Sequence, residues 1–110
     1  MHVPTVTDEM LEKVIEAAAS PVFLVFFQAD SAPSARLRRR VENVADEFDD
    51  RVIFLALNVD ENPTIAQTHG VEECPLILVV KRGREVGRVP GDIARESIEE
   101  LLERAITADA

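Results

Sequence analysis

The sequence predicts an α/β fold, a central mixed β-sheet flanked by helices on both faces, and three observations carry that prediction. Residues 22–27, Val-Phe-Leu-Val-Phe-Phe, form a continuous apolar run rich in β-branched and aromatic side chains, as expected of a strand covered on both sides. Stretches with apolar residues at helical spacing lie before and after it, so helix and strand alternate along the chain. Near the C-terminal end two strand-like runs, 76–81 and 85–89, meet at a turn over Arg82-Gly83-Arg84 and add one antiparallel pair to an otherwise parallel sheet.

Taken in order, a short strand over 3–6 is followed by a first helix. Thr7 is its N-cap, Asp8 and Glu9 occupy the first turn, and Met10, Leu11, Val14, Ile15 and Ala18 recur at helical spacing. Ser20-Pro21 ends this helix, and 22–27 is then the central strand. A second helix over 34–48 buries Leu37, Val41, Val44, Ala45 and Phe48, and residues 51–58 form the next strand. Asn62 caps a short third helix with Pro63 at its first position and Gly70 just past its end. The late hairpin follows, and a last helix over 92–105 buries Ile93, Ile98, Leu101, Leu102 and Ala105. The pattern holds no repeat and no linker, so a single domain over residues 1–110 is expected.

Twenty-one acidic against twelve basic residues give a net charge of −9, which disfavours nucleic acid and anionic membrane as partners. The longest apolar run is far short of the roughly 20 residues a membrane-spanning helix requires. One cysteine cannot close an internal disulfide, and the first twenty residues lack the pattern of a secretory signal, so the cytoplasm is the expected compartment. One cysteine and two distant histidines, His2 and His69, supply no metal-ligand cluster, and neither a metal nor another cofactor is expected.

Three further segments carry a family resemblance: Leu57-Asn58-Val59-Asp60-Glu61-Asn62-Pro63, the Cys74-Pro75 step before an apolar strand, and the Gly83 turn. With the element order, these resemble the thioredoxin-like family over roughly residues 21–102, and the implied architecture is the thioredoxin fold. The resemblance places a Cys-Gly-Pro-Cys motif at the strand-to-helix junction, where this chain reads Ser31-Ala32-Pro33-Ser34. The tryptophan expected just before that motif appears deleted. Members also pair a buried aspartate beneath the motif with a lysine on the next strand, and the matching residues here are taken to be Phe26 and Ala56. Losing one partner of such a pair strands a charge at a cost of about 3–5 kcal/mol, whereas replacing both with apolar residues is often neutral.

Thiol-disulfide exchange by the dithiol route needs an attacking thiolate and a resolving thiol, and serine without an adjacent base is a poor nucleophile. Dithiol oxidoreductase activity and catalytic residues are therefore not expected. What the resemblance leaves is a peptide groove built from Ser31, Ala32, Pro33, Ser34, Glu73, Cys74, Pro75, Pro90 and Gly91, with Pro75 at the family's cis-proline position. The leading expectation is a redox-inactive module that binds a protein or extended peptide as chaperone, assembly factor or adaptor. The alternative is a monothiol redox protein or sensor acting through Cys74, expected to face the N-terminus of the second helix, whose dipole favours a thiolate, with Glu72 and Glu73 opposing. Arg36, Arg38, Arg39 and Arg40 form a basic cluster suited to an acidic partner, or else pair with Glu42 and solvate the helix surface.

Overall fold

A computed structural model describes residues 3–107. It orders the elements α1 (Asp8–Ala17), β1 (Val22–Phe27), α2 (Ala32–Ala45), β2 (Ile53–Asn58), α3 (Pro63–Thr68), β3 (Leu76–Lys81), β4 (Arg84–Pro90) and α4 (Arg95–Thr107). The strands form one mixed sheet in the order β2-β1-β3-β4, with β1 in the interior as its unbroken apolar run predicts. The strand expected over 3–6 is reduced to a single parallel bridge between Thr5 and Ala56.

Two apolar cores lie on opposite faces of the sheet. Phe23, Val25 and Phe27 of β1 pack with Leu37, Val41 and Val44 of α2 and with Ile98, Leu101 and Leu102 of α4. Leu24 and Phe26 pack the other way, with Leu11 of α1 and Ile65 and Ala66 of α3. The period of two along β1 thus assigns each side chain to a face, and both faces are covered.

Only the β1–β2 pair is parallel. β3 runs antiparallel to β1 as well as to β4, giving two antiparallel pairs where one is expected. The register explains the difference: Asn58 at the end of β2 lies beside Phe27, and Leu76 at the start of β3 lies beside Phe26. The six-residue α3 is too short to carry the chain back along the sheet, so β3 enters from the end where β2 leaves it.

Element boundaries move for local reasons. α2 starts at Ala32 because the Ser31 hydroxyl accepts the Ser34 N–H at 3.2 Å and Pro33 is tolerated in a first turn. It ends at Ala45, where Glu47 and Phe48 donate instead to the carbonyls of Val44 and Ala45 and tighten the chain, leaving Phe48 buried. Arg51 and Val52 donate to Phe48, so β2 begins only at Ile53. α4 begins at Arg95 because Asp92 is drawn away to α2.

Asn62 does not cap α3 with its side chain. Its Oδ1 accepts the Asp8 N–H at 3.1 Å, while the Asp8 carboxylate accepts the N–H groups of Thr64 and Ile65 at 3.1 and 3.0 Å. Each segment thus supplies the acceptor at the start of the other's helix. Gly70 at φ +64° closes α3, with Gly70 N–H donating to Gln67 and Val71 N–H to Ala66, the two bonds of a Schellman turn. Arg82 and Gly83, at φ +52° and +78°, make the two-residue loop of the β3–β4 hairpin.

Candidate functional site

The ends of β1 and β2 and the start of β3 meet at one edge of the sheet, and the segments singled out in the sequence converge there. The β1–α2 loop is held by its serines. Ser31 caps α2, and Ser34, fully buried, accepts the Gln28 N–H on its Oγ at 3.3 Å. Both hydroxyl oxygens therefore serve as backbone acceptors, and burial keeps Ser34 from any bulky substrate. Ala32 and Pro33 are exposed on the first turn of α2.

Pro75 is buried, and the Cys74–Pro75 peptide bond is cis. The Pro75 carbonyl accepts the Gly91 N–H at 2.8 Å, which docks the Pro90–Gly91 segment beside it. Cys74 is a free, half-buried cysteine whose backbone N–H and carbonyl take no hydrogen bond among the described residues. Its side chain opens into a hollow of about 490 Å³ together with Gln28, Pro63, Gln67, Val71, Glu72 and Glu73. A smaller hollow of about 180 Å³ beside it involves Glu72, Glu73, Arg88 and Pro90.

The residues surrounding Cys74 come from α3 and its flanks, the β1–α2 loop and the segment before β3, and none comes from α2 itself. Burial pushes the Cys74 thiol up first, and the nearby Asp60 carboxylate adds to it. Asp60, rather than Glu72 or Glu73, supplies the opposing charge.

The arginines of α2 divide. Arg36 donates from Nε to Asp92 Oδ2 at 2.8 Å, and Arg40 pairs with Asp92 Oδ1. The Arg38 guanidinium lies 3.9 Å from the centre of the Phe27 ring and reaches the Thr5 hydroxyl. Glu42 accepts the Val3 N–H on its carboxylate. Arg39 alone of the four is exposed without a partner among the described residues, so the cluster expected for an acidic partner is largely committed to the fold.

The register also corrects the pair beneath the motif. Phe26 and Ala56 belong to opposite cores and do not face each other. The residue beside Ala56 on β1 is Val25, and both are 1% exposed in the core under α2 and α4. The β1 residue beside Ala56 in the same core is therefore Val25, not Phe26. In so unbroken an apolar run, the sequence offers no polar marker of which residue faces which side.

Sequence reasoning also missed Asp60, Asp92 and Gln28. Asp92 is 52 and 56 residues from the arginines it joins, and Asp60 reaches Cys74 only through the fold. Among the described residues no group of three His, Cys, Asp or Glu side chains is placed to hold a metal ion, and no helix is long and apolar enough to cross a membrane. His69 closes α3, and His2 lies outside the described residues.

Comparison with known proteins agrees with this geometry. The family model described as Thioredoxin matches residues 2–104. Thioredoxin of Porphyra purpurea is 27% identical over 97% of this chain and 100% of its own length, and thioredoxin of Chlorobaculum thiosulfatiphilum is 29% identical over 91% and 93%. A solved structure described as chloroplastic thioredoxin z, with a type-specific target recognition, superposes with a TM-score of 0.85 at 26% identity, over 98% of this chain and 97% of that one. Chloroplastic proteins of Arabidopsis thaliana and Chlamydomonas reinhardtii are also similar, so the likeness does not single out the cytoplasm.

These relatives overturn the expectation of a redox-inactive chaperone, assembly factor or adaptor, because each is named a thioredoxin, a redox protein. That expectation was drawn from the two motif serines, whereas the similarity extends over nearly the whole chain. By fold, by topology and by sequence, the chain belongs to the thioredoxin family.

Proposed function

We propose that this chain is a thioredoxin-family thiol protein that acts on protein targets, holding an extended segment at Cys74 and Pro75 and exchanging disulfides through the single thiol of Cys74. The observation that carries the reading is the placement of Cys74: a half-exposed thiol in an open hollow, on a residue whose own N–H and carbonyl are unpaired among the described residues. Such main-chain groups are what an extended peptide pairs with when it adds strand-like hydrogen bonds.

The exchange step follows directly. The Cys74 thiolate attacks one sulfur of a target disulfide, a Cys74–target disulfide forms, the target's S–S bond breaks, and the displaced sulfur leaves with the electron pair as a thiolate. An external thiol or the target's freed cysteine then resolves the mixed disulfide, since this chain has no second sulfur donor among its cysteines. The raised thiol pKa slows the step without removing it. Each unit of rise cuts the thiolate at neutral pH about tenfold but makes that thiolate roughly threefold more nucleophilic. Exchange through a lone thiol requires a compartment that keeps it reduced, and the cytoplasm meets that requirement.

Incubation with a disulfide-bonded peptide, followed by mass measurement under non-reducing conditions, tests the reading. A single adduct that maps to Cys74, is reversed by reductant and is absent from Cys74→Ser is the expected result. Absence of an adduct on the native chain, with ready reaction once it is unfolded in urea, overturns it.

A further inference from the structure

The hollow at Cys74 carries charge of one sign. Apart from the thiol, its ionisable lining side chains are Glu72 and Glu73, while Gln28 and Gln67 are neutral and no Lys or Arg lines it. Asp60, from the β2–α3 segment, adds its field to the thiol. The cations that flank this region are committed. Arg88 pairs with Glu85 at 2.8 Å and donates to the carbonyls of His69 and Gly70, and Arg36 and Arg40 are held by Asp92. An extended segment paired with the Cys74 main chain therefore meets the carboxylates of Glu72 and Glu73 with no Lys or Arg among the described residues lining that hollow to offset them.

From this juxtaposition we propose that the target segment engaged at Cys74 is basic, carrying Lys or Arg beside its own cysteine, and that its positive charge readies Cys74 for exchange. The inference rests on the exchange reading and adds the class of target to it. Charge complementarity acts twice. It draws the segment into an acidic hollow, and it brings cations near the thiol, where they favour the thiolate against the field of Asp60. The protein's net charge of −9 extends the same preference to longer range.

The test uses two short peptides, each with one cysteine held as a mixed disulfide with thionitrobenzoate, one flanked by lysines and the other by glutamates. Attack by Cys74 on the peptide sulfur forms a Cys74–peptide disulfide and releases the coloured arylthiolate, so absorbance follows the rate. At neutral pH and low salt the lysine peptide is expected to react about tenfold faster. The margin should shrink at high salt and in Glu72→Gln/Glu73→Gln, whose altered side chains are exposed and leave the fold intact. Equal rates, or a faster glutamate peptide, overturn this inference while leaving exchange at Cys74 standing. Release no faster than that of Cys74→Ser with either peptide overturns both.

Discussion

Replacing Asp8 with alanine should loosen the wall of the Cys74 hollow without touching it. The Asp8 carboxylate accepts the N–H groups of Thr64 and Ile65 at 3.1 and 3.0 Å and is the only side-chain acceptor shown at the start of α3 among the described residues. Loss of a capping acceptor costs about 1–2 kcal/mol, and partial exposure of these N–H groups to water sets the expectation near 1.5 kcal/mol. For 110 residues the unfolding entropy is about 0.23 kcal/mol/K, so the melting temperature should fall by about 6 °C. Asp8→Asn keeps one acceptor oxygen but loses the second and the charge at the helix end, so its loss should be smaller than that of Asp8→Ala, about 1 kcal/mol. Thermal and urea unfolding of the three proteins give these values directly. Because α3 contributes Pro63 and Gln67 to the hollow, Cys74 in Asp8→Ala should also alkylate faster than in the parent. An Asp8→Ala protein that melts within about 2 °C of the parent would refute the capping argument.

Other consequences are equally direct. Val25→Asp buries a carboxylate without a partner and should cost at least about 3 kcal/mol; adding Ala56→Lys, its register neighbour, should recover part of this. Phe26→Asp should gain nothing from Ala56→Lys because the two side chains lie in different cores, and urea titration of the four variants decides the matter. Ser34→Ala leaves the Gln28 N–H without its acceptor and should lower stability by about 1–2 kcal/mol in the same assay. The alkylation rate of Cys74 should rise with pH through a midpoint above the ordinary cysteine value of about 8.5, since burial and Asp60 both favour the protonated thiol. Asp60→Asn should move that midpoint down, and a parent midpoint below the ordinary value would sink the electrostatic account of the site.

Local signals made most of the fold legible. Thr7 reads as an N-cap and is one, accepting the Met10 N–H, and the run 22–27 reads as a doubly covered strand and lies inside the sheet. What sequence did not disclose depends on partners distant in the chain. Asn62 has the residue type of a cap, yet Asp8, 56 and 57 residues away from the N–H groups concerned, does the capping. The direction of β3 depends on where α3 delivers the chain, which no local preference encodes. The placement of Phe26 was misread because a strand apolar on both faces has lost the polar alternation that marks its orientation. Within the candidate site, Cys74 and Pro75 stand out by residue type, whereas Asp60 and Asp92 are two among twenty-one acidic residues until the fold brings them to their partners.

Asp92 joins two arginines one helical turn apart on α2, and Gly91 beside it is bonded to Pro75. α2, the end of β4 and the entry to β3 are thereby tied through the Gly91–Asp92 step, and on the proposed reading their spacing is set before any target arrives. A segment settling there has little protein to order, and more of its contact energy goes to affinity instead of immobilising loops. On that reading selectivity would act by exclusion: a chain whose shape did not suit the preset gap would be turned away.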